Sequence, residues 1–421
     1  MSRLLVFPVP PSFKLPLHEK RAREETPDEH EQSSKKAKPG PDVYKPFERE
    51  HVARLVNDIL ASVYYDINYL CILRNSAKWD ISTEKVAAYR LQFQESAALL
   101  DMVVGRVINP EDHRGHDPRG TVSRLEQFAR KLGWKTLAIC TAAEGFRRAC
   151  REIRHKAIWA DLVDKINENR WSLEVFARAR NLDWRGPLIK YARLGIPDLV
   201  AALRPARKMW EQHPHNIVLS MENKVSRPWF ERFWYFQVHV DEPVFDPSHW
   251  EDPAQEDPTI RKPGDGECDL CGSPDDCDCE LDFSPGSMIE LVERPVTGTG
   301  VRALMNFKKG DILGQFLGEI LPPEFDDDDV YSLVHQPKTN MDECYAMISP
   351  RRFGNWTRYI AHSCNASLAF TCRTIGRRTM MTVEATRDIA AFEDLTIDYG
   401  PEYWRDRKCL CGEENCVSNS Q

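Results

Sequence analysis

The chain has 421 residues, 42% of them apolar and 29% charged, and carries a net charge of −8. Its length suggests two to three domains, each able to bury a core. No run approaches the roughly 20 apolar residues needed to span a bilayer, which excludes a helical membrane protein, and the acidic balance gives no indication of direct nucleic-acid binding through a basic surface.

Residues 1–44 are rich in Pro, Glu, Lys and Ser, cannot bury enough apolar area to offset ordering, and are predicted to form a disordered tail. Pro8, Pro10 and Pro11 interrupt the short apolar start before it becomes a signal-peptide core, so a non-secreted protein is expected. Lys20-Arg21-Ala22-Arg23 and Lys35-Lys36-Ala37-Lys38 read either as a two-part nuclear-import signal or as a solvated charged tail.

Residues 45–240 are predicted to be an all-α domain. Val52, Leu55, Val56, Ile59, Leu60, Val63, Ile67 and Leu70 recur at three- and four-residue steps and give one apolar stripe. A second helix is predicted from an N-cap at Ser82, and another over 137–166 from Ile139, Phe146, Cys150 and Ile153. Asn109-Pro110 and the 115–120 stretch break the pattern between them. Cys71, Cys140 and Cys150 read as small buried hydrophobes.

Residues 241–285 are acidic and Pro-rich and read as a linker. Within it lies Cys268-x2-Cys271-x5-Cys277-x-Cys279, four thiols close enough in sequence to hold a tetrahedral zinc or, alternatively, free thiols on a flexible acidic segment. Asp275, Asp276 and Asp278 would oppose ionisation of those thiols.

From residue 286 the periodicity shortens, with apolar pieces at 288–292, 310–320 and 380–385 bounded by turns, so a mostly-β region is predicted there and the chain as a whole is α+β. The Asp326–Asp329 run reads as an exposed loop. Thr297-Gly298-Thr299-Gly300 allows close backbone approach to a ligand, and a strand turn explains it equally well.

Four stretches in order, TGTGVRALMNFKKGDILGQFLGEI, GNWTRYIAHSC, ATRDIAAFEDLTIDYG and CLCGEENC, resemble the SET-domain family of protein lysine methyltransferases over about residues 286–421. The resemblance implies a mostly-β SET fold at 286–400 with a knot-like C-terminal threading, a post-SET zinc tail at 401–421, S-adenosylmethionine as cofactor and a protein substrate, with a histone tail expected. It implies Tyr399 as the catalytic tyrosine, with Tyr331 beside it in the lysine channel, and Gly298, Thr299, Gly300, Arg358, His362 and Tyr399 around the cofactor. Without the family, His362 reads as a hydrogen-bonded structural histidine. Cys409, Cys411 and Cys416 supply three thiolates, and by resemblance Cys364 completes the zinc site, pinning Tyr403 and Trp404 over the active site.

The family pattern is broken at three places. Ala361 stands for the usual Asn, Ala366 and Ser367 for Pro-Asn, and Asp394 for Glu. Ile397 carries no hydroxyl to hold a blocking water, which predicts that more than one methyl can be added. The alternatives left open are a non-histone protein substrate, or an inactive SET scaffold or reader in a chromatin complex. The nucleus is the expected location, with the cytoplasm as alternative, and the helical region is expected to recruit chromatin partners.

Overall fold

The structure is a computed structural model that describes residues 46–79, 83–111, 117, 119–204, 215, 217–220, 225–226, 237–282, 284–295, 297–325, 331–339 and 344–419. The two basic clusters, the N-cap at Ser82, Gly115 and the Asp326–Asp329 run lie outside the described residues.

The helical region comprises α1 (Pro46–Trp79), α2 (Thr83–Ile108), α3 (Thr121–Ala142), α4 (Glu144–Glu152), α5 (Lys156–Glu168), α6 (Arg170–Ala179) and α7 (Leu199–Ala202). Val52, Val56, Ile59, Leu60, Val63, Ile67 and Leu70 of α1 are all buried, as their spacing requires. The single helix expected over 137–166 is instead the end of α3, then α4, then α5. The chain turns extended at Ala143 and again at Ile153. Arg147 fixes the first break, because its buried guanidinium donates to the carbonyls of Thr141 and Ala142 at 2.8 Å each and satisfies the C-terminal end of α3.

The strands are β1 (Val218–Leu219), β2 (Val225–Ser226), β3 (Val238–His239), β4 (Val244–Phe245), β5 (Ile289–Arg294), β6 (Gly298–Ala303), β7 (Ile312–Gln315), β8 (Glu319–Leu321), β9 (Leu333–His335), β10 (Ala346–Ser349), β11 (Phe353–Gly354), β12 (Ala361–His362), β13 (Leu368–Ile375), β14 (Arg378–Ala385) and β15 (Asp394–Ile397). The main sheet runs β2-β1-β5-β6-β15-β13-β14-β7, with β12 also paired to β15. A second sheet runs β4-β8-β10-β9, and β11 pairs with β3. The α+β expectation with a sheet-rich C-terminal part holds.

Two boundaries differ from the sequence reading. β1, β2 and β3 fall inside the stretch expected to be all-α; β1 runs parallel to β5, and β3 parallel to β11. The helices also do not stand apart, since Val52 through Ala202 and Met288 through Ile397 contribute to one continuous apolar core.

The 241–285 segment is likewise not an extended linker. β4 pairs with β8, Ile260 bridges Arg378, and Phe245 and Trp250 pack against Phe316, Ile320 and Ile348. Its acidic and Pro-rich composition has a local cause: in each of Asp246-Pro247, Asp252-Pro253 and Asp257-Pro258 the Asp carboxylate accepts the amide two residues on, at 2.9, 2.8 and 2.9 Å. These are fixed turns rather than spacers.

Candidate active site

Pairing brings the chemistry-bearing residues of the third and fourth motifs together. β15 lies between β6 and β13, antiparallel to β6 through Asp394↔Arg302 and Leu395↔Val301, and parallel to β12 through Ala361↔Thr396 and His362↔Ile397. Gly298 opens β6 with φ +73°, a conformation that disfavours a side chain, and nothing lies within 4 Å of where its Cβ would be. The start of β6, paired on one side with β5 through Gly298↔Arg294 and Gly300↔Val292, therefore carries no side chain at Gly298 and Gly300.

Tyr399 follows β15 and is anchored twice on the 360–362 stretch. Its amide donates to His362 Nδ1 at 3.1 Å, and its hydroxyl donates to the Ile360 carbonyl at 2.8 Å. Burial, reinforced by Tyr403 and Tyr331, pushes the phenol well above its ordinary range. It stays protonated at neutral pH, so it can orient a partner through its oxygen but cannot serve as a base.

His362 is buried, and burial lowers its pKa against a smaller opposing pull from Asp398. Because Nδ1 accepts from Tyr399, the ring proton sits on Nε2, which faces Cys364 Sγ at 3.3 Å. Arg358 is buried, donates to the Pro350 and Arg351 carbonyls, and lies 4.8 Å from the centroid of the Tyr331 ring. Tyr331 itself is 38% exposed. Arg358, Tyr331 and Tyr399 thus share one neighbourhood.

An aromatic cluster completes it. Tyr399 meets Tyr403 edge-on at 4.8 Å and stacks parallel to Trp404 at 6.4 Å, while His362 lies 4.5 Å from Trp404. A cavity of about 250 Å³ lined by His215, His239, Asp241, Gly314, Asn355 and Trp356, among others, includes none of these residues, so enclosed volume does not mark the site.

Where the family pattern is broken, the structure shows what replaces it. Ala361 is half-buried in β12 and brings no polar group. Ser367 is fully buried; its amide donates to the Thr396 carbonyl at 3.1 Å, and its hydroxyl accepts the Thr396 amide at 3.1 Å. The short side chain at 367 therefore clips β13 to β15, a role the sequence did not reveal.

The tail cysteines converge. His362, Cys364, Cys409 and Cys411 place their ligand atoms within 4.8 Å of one another, and Cys416 is buried with its sulfur 3.9 Å from the Cys409 carbonyl. A metal ligand needs a free lone pair, and Nε2 of His362 carries a proton while Nδ1 is engaged. Cys364, Cys409 and Cys411 thus supply three converging sulfurs, with His362 Nε2 facing the Cys364 sulfur, and Cys416, expected as the fourth ligand, is not part of the group that converges. Burial pushes Cys409 up to about 12. At Cys411 burial is outweighed by the amides of Cys364 and Glu413 and the neighbouring thiols, bringing it down to about 7. Asn415 and Ser418, which donate to the Cys364 carbonyl and accept the Cys409 amide, hold the tail and were missed in the sequence.

The other cluster also forms. Cys268, Cys271, Cys277 and Cys279 place their sulfurs within 4.8 Å of one another. Burial raises Cys268, but the amides of Gly376, Leu270 and Cys271 outweigh it and bring the thiol down to about 6.

A model of the family described as "SET domain" matches residues 298–400. Residues 298–400 are a SET domain. A protein of Phaeosphaeria nodorum named "SET domain-containing protein" is 28% identical over 324 residues, covering 65% of this chain and 52% of that protein. The histone-lysine N-methyltransferase ASHR3 of Arabidopsis thaliana is 29% identical over 35% of this chain and 30% of its own length. The H3 lysine-36-specific histone-lysine N-methyltransferase of Mycosarcoma maydis is 27% identical over 31% of this chain and 14% of its own length. The chain thus spans about half or less of these relatives. A crystal structure of Arabidopsis thaliana SUVH6 with SAM overlaps 48% of this chain and 52% of that one at 18% identity and a TM-score of 0.33, a likeness too partial to bear on chemistry. The SET domain holds Tyr399, His362, Arg358 and the glycines; the tail cysteines lie just beyond it.

Proposed function

We propose that the chain is an S-adenosylmethionine-dependent protein lysine methyltransferase acting on a histone tail in the nucleus. The observation that carries this reading is the anchoring of Tyr399: its hydroxyl is fixed on the Ile360 carbonyl, inside an aromatic cluster of Tyr403, Trp404 and His362. Gly298, with nothing within 4 Å of its Cβ position, leaves room at the start of β6 for the cofactor. S-adenosylmethionine, when bound, supplies a methyl carbon on a sulfonium.

The residues of this chain do the rest by position. The substrate amine must be neutral to attack, and an apolar aromatic lining lowers an ammonium pKa from its usual value of about 10.4 by desolvation. Tyr399, Tyr403, Trp404 and Tyr331 provide such a lining. With its proton committed to Ile360, the Tyr399 oxygen keeps lone pairs that orient the amine N–H. Arg358 lies under Tyr331 and holds that ring in place. A zinc on Cys364, Cys409 and Cys411 would fix the tail that carries Tyr403 and Trp404 and tie it, through His362, to the Tyr399 amide.

The histone and nuclear parts rest on the names of the relatives and on the acidic net charge of −8. A specific observation favours a second reading, an inactive SET scaffold or reader: Ala361 offers no side-chain amide to the cofactor. Incubation with labelled S-adenosylmethionine and either core histones or a histone-free extract, beside Tyr399→Phe, separates these. Label on histones that falls at least about a hundredfold in Tyr399→Phe, with cofactor affinity kept, is expected. Label only in the extract overturns the histone target; no transfer together with no cofactor binding overturns the enzyme reading.

A further inference from the structure

Among the described residues three non-glycine residues have a positive φ: Asn181 at +53°, Asp198 at +61° and Phe392 at +71°. Asn and Asp enter that region readily because their short polar side chains bond locally, whereas an aromatic side chain gains nothing there and leaves the backbone strained. Phe392 is the third residue of a turn from Ala390 to Glu393, closed by the Glu393 amide on the Ala390 carbonyl at 3.2 Å, a place that glycine or asparagine ordinarily fills. The turn by itself does not explain a phenylalanine.

The surroundings of the ring do. It leaves the SET domain and enters the helical region, where its centroid is 5.9 Å from that of Tyr64 of α1, with the ring planes at 57°. Lys165 Nζ of α5 lies 5.8 Å from the centroid and Arg302 Cζ of β6 5.5 Å. Tyr64 has no exposed surface and meets Phe176 of α6 edge-on at 5.1 Å, so the phenylalanine leans on a fixed wall. A second link runs beside the first: the Ala391 amide donates to Asn306 Oδ1 at 2.8 Å, and Asn306 Nδ2 donates to Asp58 of α1 at 3.1 Å.

The same turn fastens the strands of the candidate site to each other. The Phe392 amide donates to the Ala303 carbonyl at 2.9 Å, and the Ala303 amide donates to the Glu393 carbonyl at 2.9 Å. Ala303 ends β6, which Gly298 opens, and Glu393 leads into β15, which Tyr399 follows. Both strands therefore leave one clamp, and the clamp is oriented by a side chain seated in the helices.

We propose that Phe392 is a positioning residue: by seating the 390–393 turn on α1 and α5 it sets the spacing between the glycine backbone of β6 and Tyr399 beyond β15, which makes the helical region part of the catalytic frame. The consequence for methyl transfer rests on the lysine methyltransferase reading above. An in-line transfer responds to displacements of about 1 Å, so Phe392 acts through the two strands rather than by contact with the reacting groups.

The test compares Phe392→Gly, Phe392→Ala and Phe392→Tyr in the full chain. Glycine relieves the backbone strain and removes the ring, alanine keeps the strain and removes the ring, and tyrosine keeps both. Hydrogen exchange by mass spectrometry reads 394–400 and, as a gauge of global stability, α3; kcat is measured beside it at saturating cofactor. Both ringless variants are expected to speed exchange in 394–400 at least about threefold beyond any change in α3 and to lower kcat at least about tenfold, and Phe392→Tyr is expected to restore both. The glycine variant, free of the strain, serves even where the alanine variant does not fold. Equal changes in 394–400 and α3 reduce Phe392 to a packing residue and overturn the proposal, as does a glycine variant with the exchange and kcat of the wild type. A wild type that transfers no methyl overturns the enzyme reading, and the exchange comparison then decides the role of Phe392 by itself.

Discussion

Glu290→Gln tests whether helices and SET domain are one folding unit. Glu290 is 5% exposed in β5 and sits directly across from Arg302 in β6. Its carboxylate accepts from Arg302 Nε at 2.8 Å and from Ser172 Oγ of α6 at 2.6 Å; Ser172 in turn meets the Tyr64 hydroxyl of α1 at 2.6 Å, and Arg302 donates to Asn169 at 3.0 Å. The amide keeps the shape and removes the charge, leaving the half-buried Arg302 without its buried counter-ion and pointing an NH₂ at donors. Breaking a buried pair in this way costs about 3–5 kcal/mol, a large part of the roughly 5–15 kcal/mol that holds a domain folded. Native-state hydrogen exchange by mass spectrometry reads the loss separately in α3 and in β13–β14. Because the core is continuous from Val52 to Ile397, both are expected to lose protection by the same amount. The double change Glu290→Leu with Arg302→Met, which removes both charges, is expected to recover most of it. Loss confined to β5 and β6, with α3 unchanged, would refute the single unit.

Burial of Asp66, partly opposed by the Gly145 amide, pushes its carboxyl up to about 6. The fold thus favours the protonated form, so this stabilisation is complete below about pH 4 and is lost as pH rises through 6, by about 3 kcal/mol; Asp66→Asn should flatten that slope in urea titrations between pH 4 and 7, and parallel curves would contradict it. Zinc removal, or Cys411→Ser, is expected to abolish methyl transfer while far-UV ellipticity from α1–α6 is kept; full activity after verified metal loss from the tail would sink the tail's role. Ile397 is 2% exposed and has no hydroxyl, so long incubations are expected to yield di- and trimethylated product by mass spectrometry, and monomethyl product alone would count against this.

Local chemistry made part of this protein legible in its sequence. The α1 stripe, the two cysteine spacings and the order of the four motifs each depend on residues a few places apart, where helical period and ligand geometry constrain the choice of side chain. What depends on distant partners was decided by tertiary structure. Ser172 and Glu290 are 118 positions apart, and nothing in the neighbourhood of either announces the other. The 241–285 stretch looked like a spacer because Asp and Pro are common in both linkers and fixed turns, and only the pairing of β4 with β8 distinguishes them. His362 could be read as a residue beside the cofactor or as a hydrogen-bonded structural histidine until the Tyr399 amide, 37 positions on, took its Nδ1 and left the proton facing Cys364. Motifs name the groups, but the strand order β6-β15-β13, with β12 alongside, fixes which lone pair is free.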